Sequence, residues 1–173
     1  MQKKLILIDC DPGCDDALAL LLAFANEELK IKGITVSAGN VHINNTTENA
    51  RKITGYFRKE IPVSKGCEKP MFRNIVTASE VHGESGIGKV VLKNTAKEIE
   101  EKNAMEFIAE VLKNTEGKVT IVITGPMTNI AVFLISYPEL KNKIEKFVIM
   151  GGSSIGGNVT PSAEFNIYVD AEA

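Results

Sequence analysis

A chain of 173 residues with 44% apolar and 24% charged side chains has the size and balance of one ordinary soluble domain, expected to span residues 1–173. Its net charge of −2 excludes the basic footprint that nucleic acid or an anionic membrane surface requires. Three cysteines, Cys10, Cys14 and Cys67, are too few for a disulfide framework and lack partners for a zinc site; they read as small buried hydrophobes in a reducing compartment, so the cytoplasm is the expected location.

Leu5 to Ile8 is a short apolar run ending in acidic, Gly and Pro residues, which predicts a buried strand followed by a loop. It is too short for a signal-peptide core, and no stretch approaches the ~20 apolar residues of a membrane span. Asp15 and Asp16 then open an Ala- and Leu-rich helix to Ala25, nearly apolar all round and therefore expected to be buried. Ile31 to Val36 predicts a second strand, Asn45 to Phe57 a helix, and Ile61 to Val63 the start of a third strand. Arg51-Lys52 and Arg58-Lys59 read as solvated helix faces. Residues 67 to 90 show no period and predict a long functional loop. Asn103 to Leu112 fits an amphipathic helix, Val119 to Ile123 a buried strand, and Thr128 to Ser136 a helix. Phe147 to Met150 predicts a last strand before the glycine-rich segment Gly151 to Gly157. Asp170 reads as the N-cap of a further helix.

Strands alternating with helices imply right-handed βαβ units and a doubly wound, mainly parallel α/β sheet. Such sheets bind ligands beyond the carboxyl ends of their strands. The polar motifs lie there, after Ile8, Val36, Ile123 and Met150, which predicts one composite site.

The segment Asp9-Cys10-Asp11-Pro12-Gly13-Cys14-Asp15-Asp16 crowds four carboxylates into eight residues without a Lys or Arg. A helix N-terminus offsets ~0.3–1 kcal/mol per acid, which is too little for four. A hard divalent cation bound through oxygens is the natural supplement. The plainer alternative is N-capping by Asp15 or Asp16 with solvated neighbours. An EF-hand fails, because the twelfth position counted from Asp9 is Leu20 rather than Glu.

This segment resembles the N-terminal signature of nucleoside hydrolases. In the same order along the chain, Ala38-Gly39-Asn40-Val41, His82 to Gly88, Thr124 to Ala131, Met150-Gly151-Gly152 and Gly157-Asn158 through Glu164-Phe165-Asn166-Ile167 to Asp170 resemble that family's later motifs. The resemblance implies N-glycosidic cleavage of ribonucleosides. Asp11 and Asp16 would bind a calcium ion (Ca2+) by side chain and Thr124 by its carbonyl, with Asp11 also the general base for the attacking water. Asp15, Asn40 and Asn166 would hold the ribose 2′- and 3′-hydroxyls, and Asn158 and Glu164 the 5′-hydroxyl. His82 would lie near the base and Met150 near the sugar; Asp9 would orient the loop. These residue types suit the chemistry, since carboxylates stabilise an oxocarbenium-like sugar and an Asp accepts the proton of an activated water. Taken singly, His82 reads as a surface residue, Asn40 and Asn158 as turn residues, and Asn129 as an unremarkable helix residue.

The resemblance covers the N-terminal portion of such a domain. The family's further calcium-binding Asp, and the His often proposed to protonate the leaving base, would follow residue 173, so a C-terminally truncated fold, impaired activity and an open apolar face favouring a homo-oligomer are expected. Two rivals remain. One is an impaired homologue that binds calcium or ribosides. The other is a haloacid dehalogenase-type phosphatase with Asp9 as nucleophile, against which Gly13 and the absence of a downstream acidic pair with a preceding Lys both count.

Overall fold

The structure, a computed structural model, describes residues 3–57, 59–92 and 98–173, so the Arg58 half of the Arg58-Lys59 pair lies outside the described residues. Five strands form one all-parallel sheet: β1 (Lys4–Cys10), β2 (Leu29–Val36), β3 (Val63–Lys65), β4 (Val119–Ile123) and β5 (Ile144–Ile149). Their order is β3-β2-β1-β4-β5. The helices among the described residues are α1 (Cys14–Ala25), α2 (Ile43–Tyr56), the single turn α3 (Ser79–His82), α4 (Ala104–Lys113), α5 (Thr128–Ser136) and α6 (Phe165–Val169), with a 3₁₀ helix at Pro138–Lys143. From β1 the chain winds outward to β3, then returns to place β4 on the other side of β1. This is the doubly wound α/β fold expected, with Leu5 to Ile8 in the central strand. The reversal opens a crevice between the carboxyl ends of β1 and β4.

The period of two along each strand divides the core into two layers. Ile6, Ile8 and Cys10 of β1 join Ile34, Val36, Leu20, Ala50 and Ile53 under α1 and α2. Leu7 faces the other way and joins Ile121, Ile123, Phe107, Ile108 and Phe133 under α4 and α5. Each fully buried Leu, Ile, Val or Phe among them contributes about 1.5–3 kcal/mol. The start of α4 is fixed by a reciprocal cap: Asn103 Oδ1 accepts from the Glu106 amide, and the Glu106 carboxylate accepts from the Asn103 amide.

Several expectations are corrected. Helix α1 is not buried all round, because only its Asp16 and Leu20 are buried while Leu18 and Leu22 are 63% and 74% exposed. Its sheet-facing stripe is narrow, and among the described residues none covers the opposite side. Asp170 stands at the end of α6, where its buried carboxylate accepts from Thr128 Oγ1 and the Met71 amide, contacts the sequence did not suggest. Within the predicted loop 67–90, α3 forms one turn, too short to leave a periodic signal. Cys10 is buried as expected, but Cys14 is exposed and Cys67 half-buried; all three are free. No helix among the described residues is long and apolar enough to cross a membrane.

Candidate active site at the carboxyl ends of the strands

Strand β1 delivers Asp9 and, just past its end, Asp11. Asp11 is fully buried and wedged between two glycines: a Cβ on Gly39 would lie 2.1 Å from Oδ2, and one on Gly125 would lie 2.6 Å from Oδ1. Any side chain at either position would displace the carboxylate. Oδ2 accepts from the Asn40 amide at 2.6 Å, and the Asn40 side chain donates to the Asp11 carbonyl at 3.0 Å. Oδ1 has no protein partner. Burial, and after it the charge of Asp16, raises the Asp11 pKa well above the usual carboxylate range.

Asp16 sits in the first turn of α1. It accepts from Thr124 Oγ1 at 2.5 Å and from the Gly13 amide at 3.2 Å. Burial pushes its pKa up to about 6, opposed by those two hydrogen bonds. Asp11 and Asp16 are thus two buried, mutually repelling carboxylates, and Asp11 Oδ1 has no hydrogen-bond partner among the described residues. No group of three or more His, Cys, Asp or Glu side chains arranged to hold a metal occurs among the described residues. The oxygens this end of the sheet offers are those of two carboxylates and a nearby carbonyl. The Thr124 carbonyl stands beside them, accepting from Asn166 Nδ2 at 2.9 Å and retaining a second lone pair. The donor set is all oxygen, which fits a hard divalent cation.

Eight of the ten candidate residues line one cavity of about 320 Å³: Asp15, Asn40, His82, Thr124, Met150, Asn158, Glu164 and Asn166. The other two, Asp11 and Asp16, do not line it but accept hydrogen bonds from two residues that do, Asn40 and Thr124. The Asp15 side chain is 73% exposed, 3.9 Å from His82 Nδ1. His82 ends α3 and is only 14% exposed, with Nδ1 accepting from the Cys14 amide, so the neutral ring carries its proton on Nε2. The Asn166 side chain donates to the carbonyls of Thr124 and Met150, tying the ends of β4 and β5 together. Glu164 caps α6, accepting from the amides of Asn166, Ile167 and Gly152. Asn158 Oδ1 accepts from the Phe165 amide.

Sequence reasoning passed over Asn129. It is fully buried at the start of α5, its amide donating to Asp9 Oδ1 and accepting from the Cys67 amide. Asn49 was missed as well; it donates to the carbonyls of Pro12 and Ser85, joining the acidic loop to the segment after α3. Neither residue has a local sequence signal, since every partner is more than 30 residues away.

The fold and the site define an open α/β protein with an acidic pocket at its topological switch point. Residues 6–173 match the model of the inosine-uridine preferring nucleoside hydrolases, and the chain belongs to that family. A pyrimidine-specific ribonucleoside hydrolase RihA of Escherichia coli O127:H6 is 51% identical over 97% of this chain and 54% of its own length. RihA of Salmonella enteritidis PT4 is 50% identical over the same shares. A purine-preferring ribonucleoside hydrolase from Gardnerella vaginalis superposes with a TM-score of 0.92 at 35% identity, over 98% of this chain and 55% of that one. An inosine-guanosine nucleoside hydrolase gives 0.89 at 31% identity, over 99% and 54%. The chain spans about half the length of the relatives it matches. Family membership excludes the phosphatase reading. The structure counts against its chemistry too, because Asp9 is fully buried and its Oδ1 is held by Thr35 and Asn129.

Proposed function

We propose that this chain forms the ribose-and-cation half of a ribonucleoside N-glycosidase. The observation that supports it most is Asp11, a buried carboxylate with one oxygen fixed by Asn40, which lines a cavity of about 320 Å³, and the other without a partner among the described residues. Asp11, Asp16 and the Thr124 carbonyl would hold calcium. Calcium bound there would orient a water and lower its pKa.

The chain's own residues do the rest. Asp11, its pKa raised by burial, accepts a proton from the attacking water, and the Asn40 amide keeps its carboxylate aimed. Asp15, exposed in the cavity, accepts from the ribose hydroxyls. Asn166 and Glu164 hold the cavity wall where the sugar rests, with Met150 against it and Asn158 at its rim. The buried carboxylates stabilise positive charge developing on the sugar. His82 and its neighbour Val81, which line the same cavity, would stand beside the base. The closer relatives are named pyrimidine-specific, which favours uridine and cytidine over inosine.

Reducing-sugar release from uridine, cytidine and inosine tests this reading. It is measured on these residues alone and on the same residues joined to the remaining part of the E. coli relative. The joined protein is expected to release ribose in calcium, and Asp11→Asn to lose about 10²- to 10⁴-fold. Release unchanged in Asp11→Asn would overturn the assignment of the base.

A further inference from the structure

We infer that Asn129 is a positioning residue for the candidate cation site, acting through Asp9. The inference rests on the reading of Asp11, Asp16 and Thr124 given above. Asp9 is fully buried, and its Oδ1 accepts from both Asn129 Nδ2 at 2.9 Å and Thr35 Oγ1 at 2.5 Å, while Oδ2 has no partner. The carboxylate is therefore gripped by one oxygen, from α5 on one side and β2 on the other. The backbone carbonyl of the same residue accepts from the Thr124 amide at 2.9 Å, and Asp11 follows two residues later. Whatever fixes Asp9 thus fixes the two strand ends that present Asp11 and Thr124.

Asn129 cannot rotate to another arrangement. Its Oδ1 accepts from the Cys67 amide at 2.8 Å, which forces Nδ2 toward the Asp9 carboxylate. The backbone after β3 is fitted around this amide, since a Cβ on Gly66 would lie 2.2 Å from Asn129 Oδ1. One side chain therefore locks the ends of β1 and β3 to α5. Its neighbour Thr128 supplies a control of equal burial: it bonds Asp170, not Asp9. Groups that orient metal ligands in this indirect way typically alter affinity 10- to 100-fold when removed.

The test is calorimetric calcium binding, with melting temperature read in parallel, on wild type, Asn129→Ala, Thr35→Val and Thr128→Val. The expected result is about 10- to 100-fold weaker calcium binding in Asn129→Ala. Thr35→Val should be weakened in the same direction, and Thr128→Val should melt lower with unchanged affinity. If Asn129→Ala does not fold, Thr35→Val, which is nearly isosteric, carries the test alone. Wild-type affinity in both Asp9-linked variants overturns the inference and makes Asn129 a structural residue only. Equal weakening in Thr128→Val overturns it too, because the effect is then general loosening. A wild type that binds no calcium overturns the cation site itself, and is distinguished from these outcomes by appearing before any substitution.

Discussion

The two faces of the central sheet are built from similar strand sequences and end in different states. On one face, α4 and α5 cover Leu7, Ile121 and Ile123 completely. On the other, α1 and α2 cover β1 to β3, but among the described residues no helix is packed over the end formed by β4 and β5. There Val122 is half-buried, and Val148, which pairs with it, is 44% exposed. A cleft lined by Ile6, Ile8, Leu20, Leu22, Ala23 and Val122 runs along this open side, with Asp16 and Thr124 at one end. An apolar strand sequence therefore states a demand for burial without stating what meets it. The site sits where the two conditions meet: its acids are anchored in the covered core and border the open cleft.

Neighbouring residues of β4 give the sharpest test of that contrast. Ile121→Ala, on the covered face, should cost about 2–5 kcal/mol, because the packed helices cannot collapse into the space. Val122→Ala, one residue on and facing the cleft, should cost about 1 kcal/mol or less. Urea denaturation of both variants measures the difference. Equal losses would mean that the open face is covered in solution.

A second test concerns the acids bordering the cleft. Burial raises Asp9 to about 7 and Asp16 to about 6, and raises Asp11 as well. All three folded-state values lie above the unfolded carboxylate value near 4. The folded state consequently binds protons more tightly. The penalty for charging these groups is absent below the unfolded value and complete above the folded ones. Stability of the metal-free protein should thus rise as pH falls from about 7.5 to about 5.5. Asp9 alone contributes on the order of 2 kcal/mol, or roughly 4–8 °C in melting temperature, and Asp11 and Asp16 add to it in the same direction. Calcium should flatten the rise, because it favours the charged carboxylates. A melting temperature that falls between those pH values in EDTA would show that the acids are hydrated rather than buried.

Much of this was legible in the sequence, and for local reasons. Leu5 to Ile8 and Val119 to Ile123 announced themselves as apolar runs bounded by polar turns, and the motifs following them marked the strand ends. The eight cavity residues were read from a resemblance covering the whole chain, not from any single motif. What stayed hidden depended on distance. Asn129 acts on Asp9 across 120 residues of sequence, and Asp170 on Met71 across 99. Glu164 was read as a substrate contact, yet in the structure its carboxylate also caps α6, a task usually given to shorter side chains. The exposure of α1 was hidden for the converse reason: its composition carries hydrophobicity but no information about the surface that would cover it.

The smallest expected change in stability comes from that helix, and it bears on assembly. Leu18 and Leu22 lie one turn apart on the exposed side of α1, beside the apolar cleft. Contiguous apolar surface of this kind favours association, so these 173 residues are expected to self-associate through it. Replacing both leucines with glutamate removes no buried contact and should leave the melting free energy within about 0.5 kcal/mol per site. It should nevertheless shift the sedimentation profile toward the monomer, because charge would have to be desolvated to re-form the contact. The substitution thus separates two properties that core mutations confound, stability of the fold and attraction between copies. A wild type that sediments as a monomer at high micromolar concentration would refute self-association. A double variant that associates as strongly as wild type would move the contact to another surface, with the exposed edge of β5 next to be tested.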